Sequence, residues 1–134
     1  MYNVALSLFL LFSPTGGCEM QPKWTALELR ASDELKYIGQ VHLRMGSYCL
    51  YDYRHFWSGR ETARLVVSSR EGKLLGYYAF PVRSYGKVQQ GRLPATNIDG
   101  ETEVIEFSDR GVAAPRSIYF DGGNFMFTPL TDNK

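Results

Sequence analysis

Two histidines, two cysteines and one short acidic turn are the groups in this chain whose chemistry could define a function. An imidazole becomes a metal ligand or a general base when a Cys, a second His or a carboxylate stands at short spacing beside it. Neither His42 nor His55 has such a neighbour in sequence, and both fall in stretches that read as strands. Asn97-Ile98-Asp99-Gly100-Glu101 offers oxygen ligands, but the remaining ligands and the spacing of a calcium loop are absent, so it reads as a hairpin turn. No Gly-x-Ser-x-Gly elbow, phosphate-binding loop or dinucleotide fingerprint occurs. The expectation is a protein that is not an enzyme and uses no metal and no cofactor.

The cysteines lead to a compartment. Val4 to Phe12 is an uncharged apolar run, followed by Ser13-Pro14-Thr15-Gly16-Gly17-Cys18. A helix that crosses a bilayer needs roughly 20 apolar residues, so this shorter run reads as the core of an export signal with small residues at its cleavage region. Gly16-Gly17-Cys18 resembles the end of a bacterial lipobox, which implies lipidation at Cys18 as the first mature residue. The alternatives are a Cys18–Cys49 disulfide, suited to an oxidising compartment, and two unrelated thiols. The chain divides into a signal segment over 1–17, a tether with a short helical stretch over 18–36, and one β-domain over 37–134. An exported protein follows, periplasmic, anchored to the outer membrane or secreted.

Fifteen Lys and Arg oppose fourteen Asp and Glu, a formal net charge of +1. That balance gives no reason to expect a nucleic-acid partner or a membrane-surface helix. From Tyr37 onward aromatic and β-branched residues recur in short runs separated by glycine-containing turns. Strands are expected over Tyr37–Leu43, Ser47–Phe56, Arg64–Ser69, Leu74–Val82, Lys87–Leu93, Glu103–Phe107, Arg116–Asp121 and Asn124–Thr128. Ser84-Tyr85-Gly86 and Asp121-Gly122-Gly123-Asn124 are read as turns. The fold class is all-β, a small antiparallel meander. An eight-stranded lipocalin-like barrel is the leading form and a β-sandwich the alternative. The layout resembles bacterial envelope proteins such as lipocalin-like barrels and periplasmic lysozyme inhibitors.

Alternation assigns faces. In Ser47–Phe56 one face carries Tyr48, Leu50, Asp52, Arg54 and Phe56, and the other Cys49, Tyr51, Tyr53 and His55. Leu74–Val82 is apolar on both faces, which demands either an outer cover or an exposed aromatic surface. Aromatics mixed with Arg are the types enriched at binding hot spots. Arg54, Phe56, Trp57 and Arg60 therefore form the candidate binding surface, with Tyr78, Arg83 and Tyr85 beside them.

Basic residues dominate from Arg54 to Arg92 and acidic ones from Asp99 to Asp121. Such strips either pair across neighbouring strands or make a bipolar domain whose basic half meets an anionic partner. The leading expectation is a non-enzymatic binding module of the bacterial envelope that holds a protein or an anionic envelope component. One alternative is a carrier of a small hydrophobic ligand, with Tyr51, Tyr53, Phe80 and Val82 around a cavity. Another is an enzyme inhibitor or immunity protein acting through the loop Arg83–Lys87 or Arg110–Arg116.

Overall fold

Three two-residue turns, each ending in glycine, set much of the ladder. Ser58-Gly59, Gln90-Gly91 and Asp121-Gly122 all hold both residues at positive φ, between 49° and 79°. This is the backbone of the type I′ hairpin, whose twist matches that of the flanking strands. The turns bring Trp57 opposite Arg60, Gln89 opposite Arg92 and Phe120 opposite Gly123. The computed structural model describes residues 17–30, 32–43, 46–79, 81–107 and 117–130, without the side chains of Trp57 and Ser117. The expected signal segment 1–16, Phe80 and the loop Arg110–Arg116 lie outside the described residues.

The strands are β1 (Glu34–Leu43), β2 (Gly46–Trp57), β3 (Arg60–Ser69), β4 (Leu74–Ala79), β5 (Ser84–Tyr85), β6 (Arg92–Thr96), β7 (Thr102–Glu106), β8 (Ser117–Phe120) and β9 (Gly123–Pro129). They pair in the orders β1-β2-β3-β4-β9-β8 and β5-β6-β7, antiparallel throughout. The fold is all-β, and the sheets curl into a half-barrel. The strand expected over Lys87–Leu93 is replaced. The Gln90-Gly91 turn breaks it, so β6 begins at Arg92, while Ser84-Tyr85, expected in a turn, pairs with Thr96 and Ala95 as β5.

One face of the six-stranded sheet carries Val41, Tyr48, Leu50, Leu65, Val67 and Tyr78. It packs on Val82, Leu93, Ala95 and Ile105, the last three of which belong to β6 and β7. The other face carries Cys49, Tyr51, Tyr53, Val66 and Leu74. Residues 18–27 cover it, with one 3₁₀ turn at Thr25–Leu27. This is the outer cover that strands apolar on both faces require.

The segment expected to be a tether is therefore packed structure. Trp24 meets Tyr51 edge-on with ring centroids 5.1 Å apart and donates from its indole to the Gly72 carbonyl at 2.9 Å. Tyr51 Oη donates to the Glu19 carbonyl at 2.7 Å. Each aromatic thus fills volume and satisfies its polar tip in the same place.

Cys18 is bonded to Cys49 through a disulfide, with Cα atoms 5.8 Å apart. A sulfur in that bond cannot also carry a thioether-linked lipid. This corrects the expected lipidation at Cys18 and takes the disulfide alternative. Gly17 and Gly76 combine a positive φ with close approach. Gly17 has φ of 105°, and a Cβ there would press on the Arg70 carbonyl oxygen. At Gly76 (φ 155°) a methyl group would overlap the Thr128 carbonyl and the Phe127 ring, where β4 meets β9.

The disulfide closes a loop with a sequence separation of 31. Loop-closure entropy gives about 3–4 kcal/mol for a cross-link of that span. Urea unfolding with and without dithiothreitol should show the reduced protein less stable by that order. An unchanged midpoint would show that packing alone holds the segment.

Candidate functional site

Along β2 the inner face changes character. Tyr48 and Leu50 are buried in the core, and the next residues on the same face are Asp52 and Arg54. Pairing places Lys36 opposite Asp52 and Glu34 opposite Arg54 on β1, and Ala63 opposite Arg54 on β3. The chain leaving β4 crosses this polar end through Val82 and Arg83 before entering β5.

Arg54 fastens that crossing. Its Nε donates to Asp52 Oδ1 at 2.7 Å and its Nη2 to Asp52 Oδ2 at 3.2 Å. Nη1 donates to Glu61 Oε2 at 3.1 Å and to the Val82 carbonyl at 2.6 Å, and Nη2 also donates to the Arg83 carbonyl at 3.1 Å. A guanidinium has five N–H donors, and the five contacts use all of them. Burial works against the charge on Arg54, but the bidentate Asp52 carboxylate and Glu61 outweigh it and raise its pKa.

A cleft of about 530 Å³ opens beside this clamp, between β1–β2 on one side and residues 83–87 on the other. Its charged lining includes Lys36, Arg83 and Lys87, all exposed, together with Glu34 and the Arg54 cluster. Asp52 and Glu61 are engaged by Arg54, and no carboxylate among the described residues forms an ion pair with Lys36, Arg83 or Lys87. Tyr85 also lines the cleft. Its hydroxyl is buried and has no hydrogen-bond partner among the described residues. Burial, helped by the Asp52 charge, pushes its pKa far up, so it stays a neutral donor. A smaller cleft of about 280 Å³ adjoins, sharing Arg54, Glu61 and Arg83 and reaching Ile98.

Of the residues expected to bind, Arg54, Arg83 and Tyr85 meet in this cleft. Arg54, however, has no donor left for a ligand. Phe56 is half-buried and does not line the cleft, and Arg60 is exposed at the Ser58-Gly59 hairpin, away from it. Trp57 pairs through its backbone with Arg60, and its side chain lies outside the described residues. Tyr78 is a correction. It is fully buried and packs on Phe127 with ring centroids 5.1 Å apart, because its position in β4 faces the inner layer. The hydrophobic-carrier arrangement is also corrected, since Tyr51 and Tyr53 lie under the N-terminal segment while Val82 belongs to the opposite core.

Sequence spacing concealed a second cluster. The Asp33 side chain is fully buried and accepts from His55 Nδ1 at 3.0 Å. It also accepts from the backbone N–H groups of Arg30 at 3.0 Å and Phe56 at 3.2 Å, and from Tyr53 Oη at 3.3 Å. A His–Asp pair can orient a general base, but this carboxylate is occupied by one strand, β2, and by the turn at Arg30. It serves as a clasp at the start of β1. Burial opposes its ionisation, and the backbone donors and His55 overcome that, holding its pKa at about 2. His42 is exposed and bonds Ser47 Oγ at 2.8 Å. In the Asn97 loop the side-chain Oδ1 accepts from the N–H groups of Asp99 and Glu101, both at 2.9 Å, which makes it the expected turn. No group of His, Cys, Asp and Glu that could hold a metal ion occurs among the described residues. The opposed charge strips meet in part through Arg92 and Glu106, 3.7 Å apart and exposed.

No protein-family model, curated protein or solved structure matches this chain. The site therefore rests on its own geometry.

The depressed Asp33 pKa stabilises the fold above its unfolded value of 3.8, and that contribution disappears as the pH falls towards about 2. Asp33→Asn should be less stable at neutral pH, and its deficit should shrink through this acid range in pH-dependent urea melts. Arg54→Lys should lose about 1–3 kcal/mol, because an ammonium cannot reproduce the planar fork. Arg83→Ala should leave the melting temperature nearly unchanged, and equal losses in the two variants would contradict the clamp.

Proposed function

We propose that this protein is a non-enzymatic binding module of the bacterial cell envelope, and that its cleft takes an anionic group of a partner protein or envelope component. The observation that carries this reading is the convergence of Lys36, Arg83 and Lys87 on one cleft without carboxylate partners among the described residues. With Asp52 and Glu61 bound by Arg54, these three cations leave the cleft attractive to an incoming anion. The Arg54 clamp keeps the two walls in place beforehand, so little ordering is lost on binding.

Export is the compartment that suits the Cys18–Cys49 disulfide, since such bonds persist where the surroundings are oxidising. A periplasmic or secreted protein follows in preference to a lipid-anchored one, because Cys18 is occupied. We read the half-barrel as an opened form of the eight-stranded lipocalin-like barrel, with the cleft at the seam between β1 and β5.

Charge reversal tests the reading. The Arg83→Glu/Lys87→Glu double variant should keep its melting temperature and lose at least about tenfold of the wild-type binding to components of an envelope extract, with wild-type binding weakening as salt rises. Arg60→Glu serves as the control and should bind as wild type does. Equal binding by the double variant and wild type would remove the cleft from the function.

A further inference from the structure

We infer that the cleft is a slot for an extended acidic segment of a partner protein, which adds as a strand between β1 and β5; this rests on the anionic-partner reading above. Both walls are strand edges. β1 is the terminal strand of the six-stranded sheet and β5 that of the three-stranded sheet. Lys36 and Tyr37 are sequence neighbours whose side chains point to opposite faces of β1, yet both line the cleft. That happens where the edge of the strand borders the space, while Asp52, Arg54 and Glu61 close its floor from the inner face of β2 and β3. The five consecutive residues Arg83 to Lys87 line the opposite wall in the same way.

The backbone on that wall is oriented for pairing. Gly86 donates its N–H to the Pro94 carbonyl, and Tyr85 sits opposite Ala95. In an antiparallel ladder the bonding groups alternate, so the Tyr85 N–H and C=O turn away from β6 and towards the cleft. An open edge of this kind recognises an extended chain through main-chain hydrogen bonds, with charge and side chains supplying selectivity. Lys36, Arg83 and Lys87 select acidic side chains on the incoming strand.

The slot is also bounded. The register shift between Tyr37 and Gly39 interrupts the regular edge of β1. Beyond it, Val88 packs so closely over Gly39 that a Cβ at Gly39 would collide with its Cγ2 methyl. Pairing on β1 is therefore confined to Glu34–Tyr37. Glu34 is the one acidic lining residue outside the Arg54 cluster, so Glu34→Gln should strengthen binding of an acidic segment.

The test uses the full folded chain and a capped peptide of about eight residues, a typical strand length or slightly more, with Glu alternating with Thr and Val. Amide NMR should show shifts confined to Glu34–Tyr37 and Ser84–Gly86, with slowed hydrogen exchange at Tyr85 on the β5 wall. N-methylation at alternate residues of the peptide, which removes main-chain donors and keeps the charge, should weaken binding at least about tenfold. The Arg83→Glu/Lys87→Glu variant should lose binding to a similar degree. Equal affinity for the N-methylated peptide would overturn strand addition while leaving the anionic cleft standing. So would a response to inorganic phosphate or free glutamate with none to the peptide. Absence of binding to every probe, together with unchanged envelope binding in the charge-reversal variant, would overturn both.

Discussion

A sheet that is apolar on both faces cannot leave either face in water, and the rest of this structure follows from that constraint. β2 carries Leu50 towards one core and Cys49, Tyr51 and Tyr53 towards another, all of them buried. Exposing the four would cost several kcal/mol at the usual ~25 cal/mol per Å² of apolar surface. Two covers are therefore needed. The β5–β7 sheet provides the inner one, and a segment with almost no regular secondary structure provides the outer one. Because residues 18–27 have no ladder of their own, their attachment depends on a covalent bond and on hydrogen bonds from aromatic tips.

The polar end of β2 solves a related difficulty. Where the inner face runs out of apolar residues, the chain must still cross from one sheet to the other with its carbonyls satisfied. Arg54 meets that need for Val82 and Arg83 at once. The residue type that makes arginine common at interfaces makes it equally suited to this internal role. Lys36, Arg83 and Lys87 stay outside the clamp, on the walls of the cleft.

Much of the fold was legible in the sequence because it is written locally. The Asp121-Gly122 hairpin, the alternation of β2 and the double-sided β4 follow from neighbouring residues, and the strands lie where these place them. The division of Lys87–Leu93 was hidden, since Gln at the first turn position conceals a type I′ pair better than Asn or Asp does. The N-terminal cover was hidden for another reason. Its partners are Gly72, Tyr51 and Cys49, far along the chain, and its own sequence has no strong period. Arg54, Arg83 and Tyr85 could be singled out by type, yet their separate roles depend on contacts across 28 or 29 residues. The Asp33 cluster was hidden because its partners His55 and Phe56 stand on the next strand.

Gly17 and Cys18 enter beside the Arg70 carbonyl, at the β3–β4 turn. The cleft adjoins Arg54 and Ala63, near the other end of β3. Arg70 lies seven steps along the chain from Ala63, roughly 23 Å at the usual rise. The molecule therefore has two poles. The disulfide that fastens the N-terminal cover and the cleft act on opposite ends of the same strand, so strain at one is carried to the other through the length of β3.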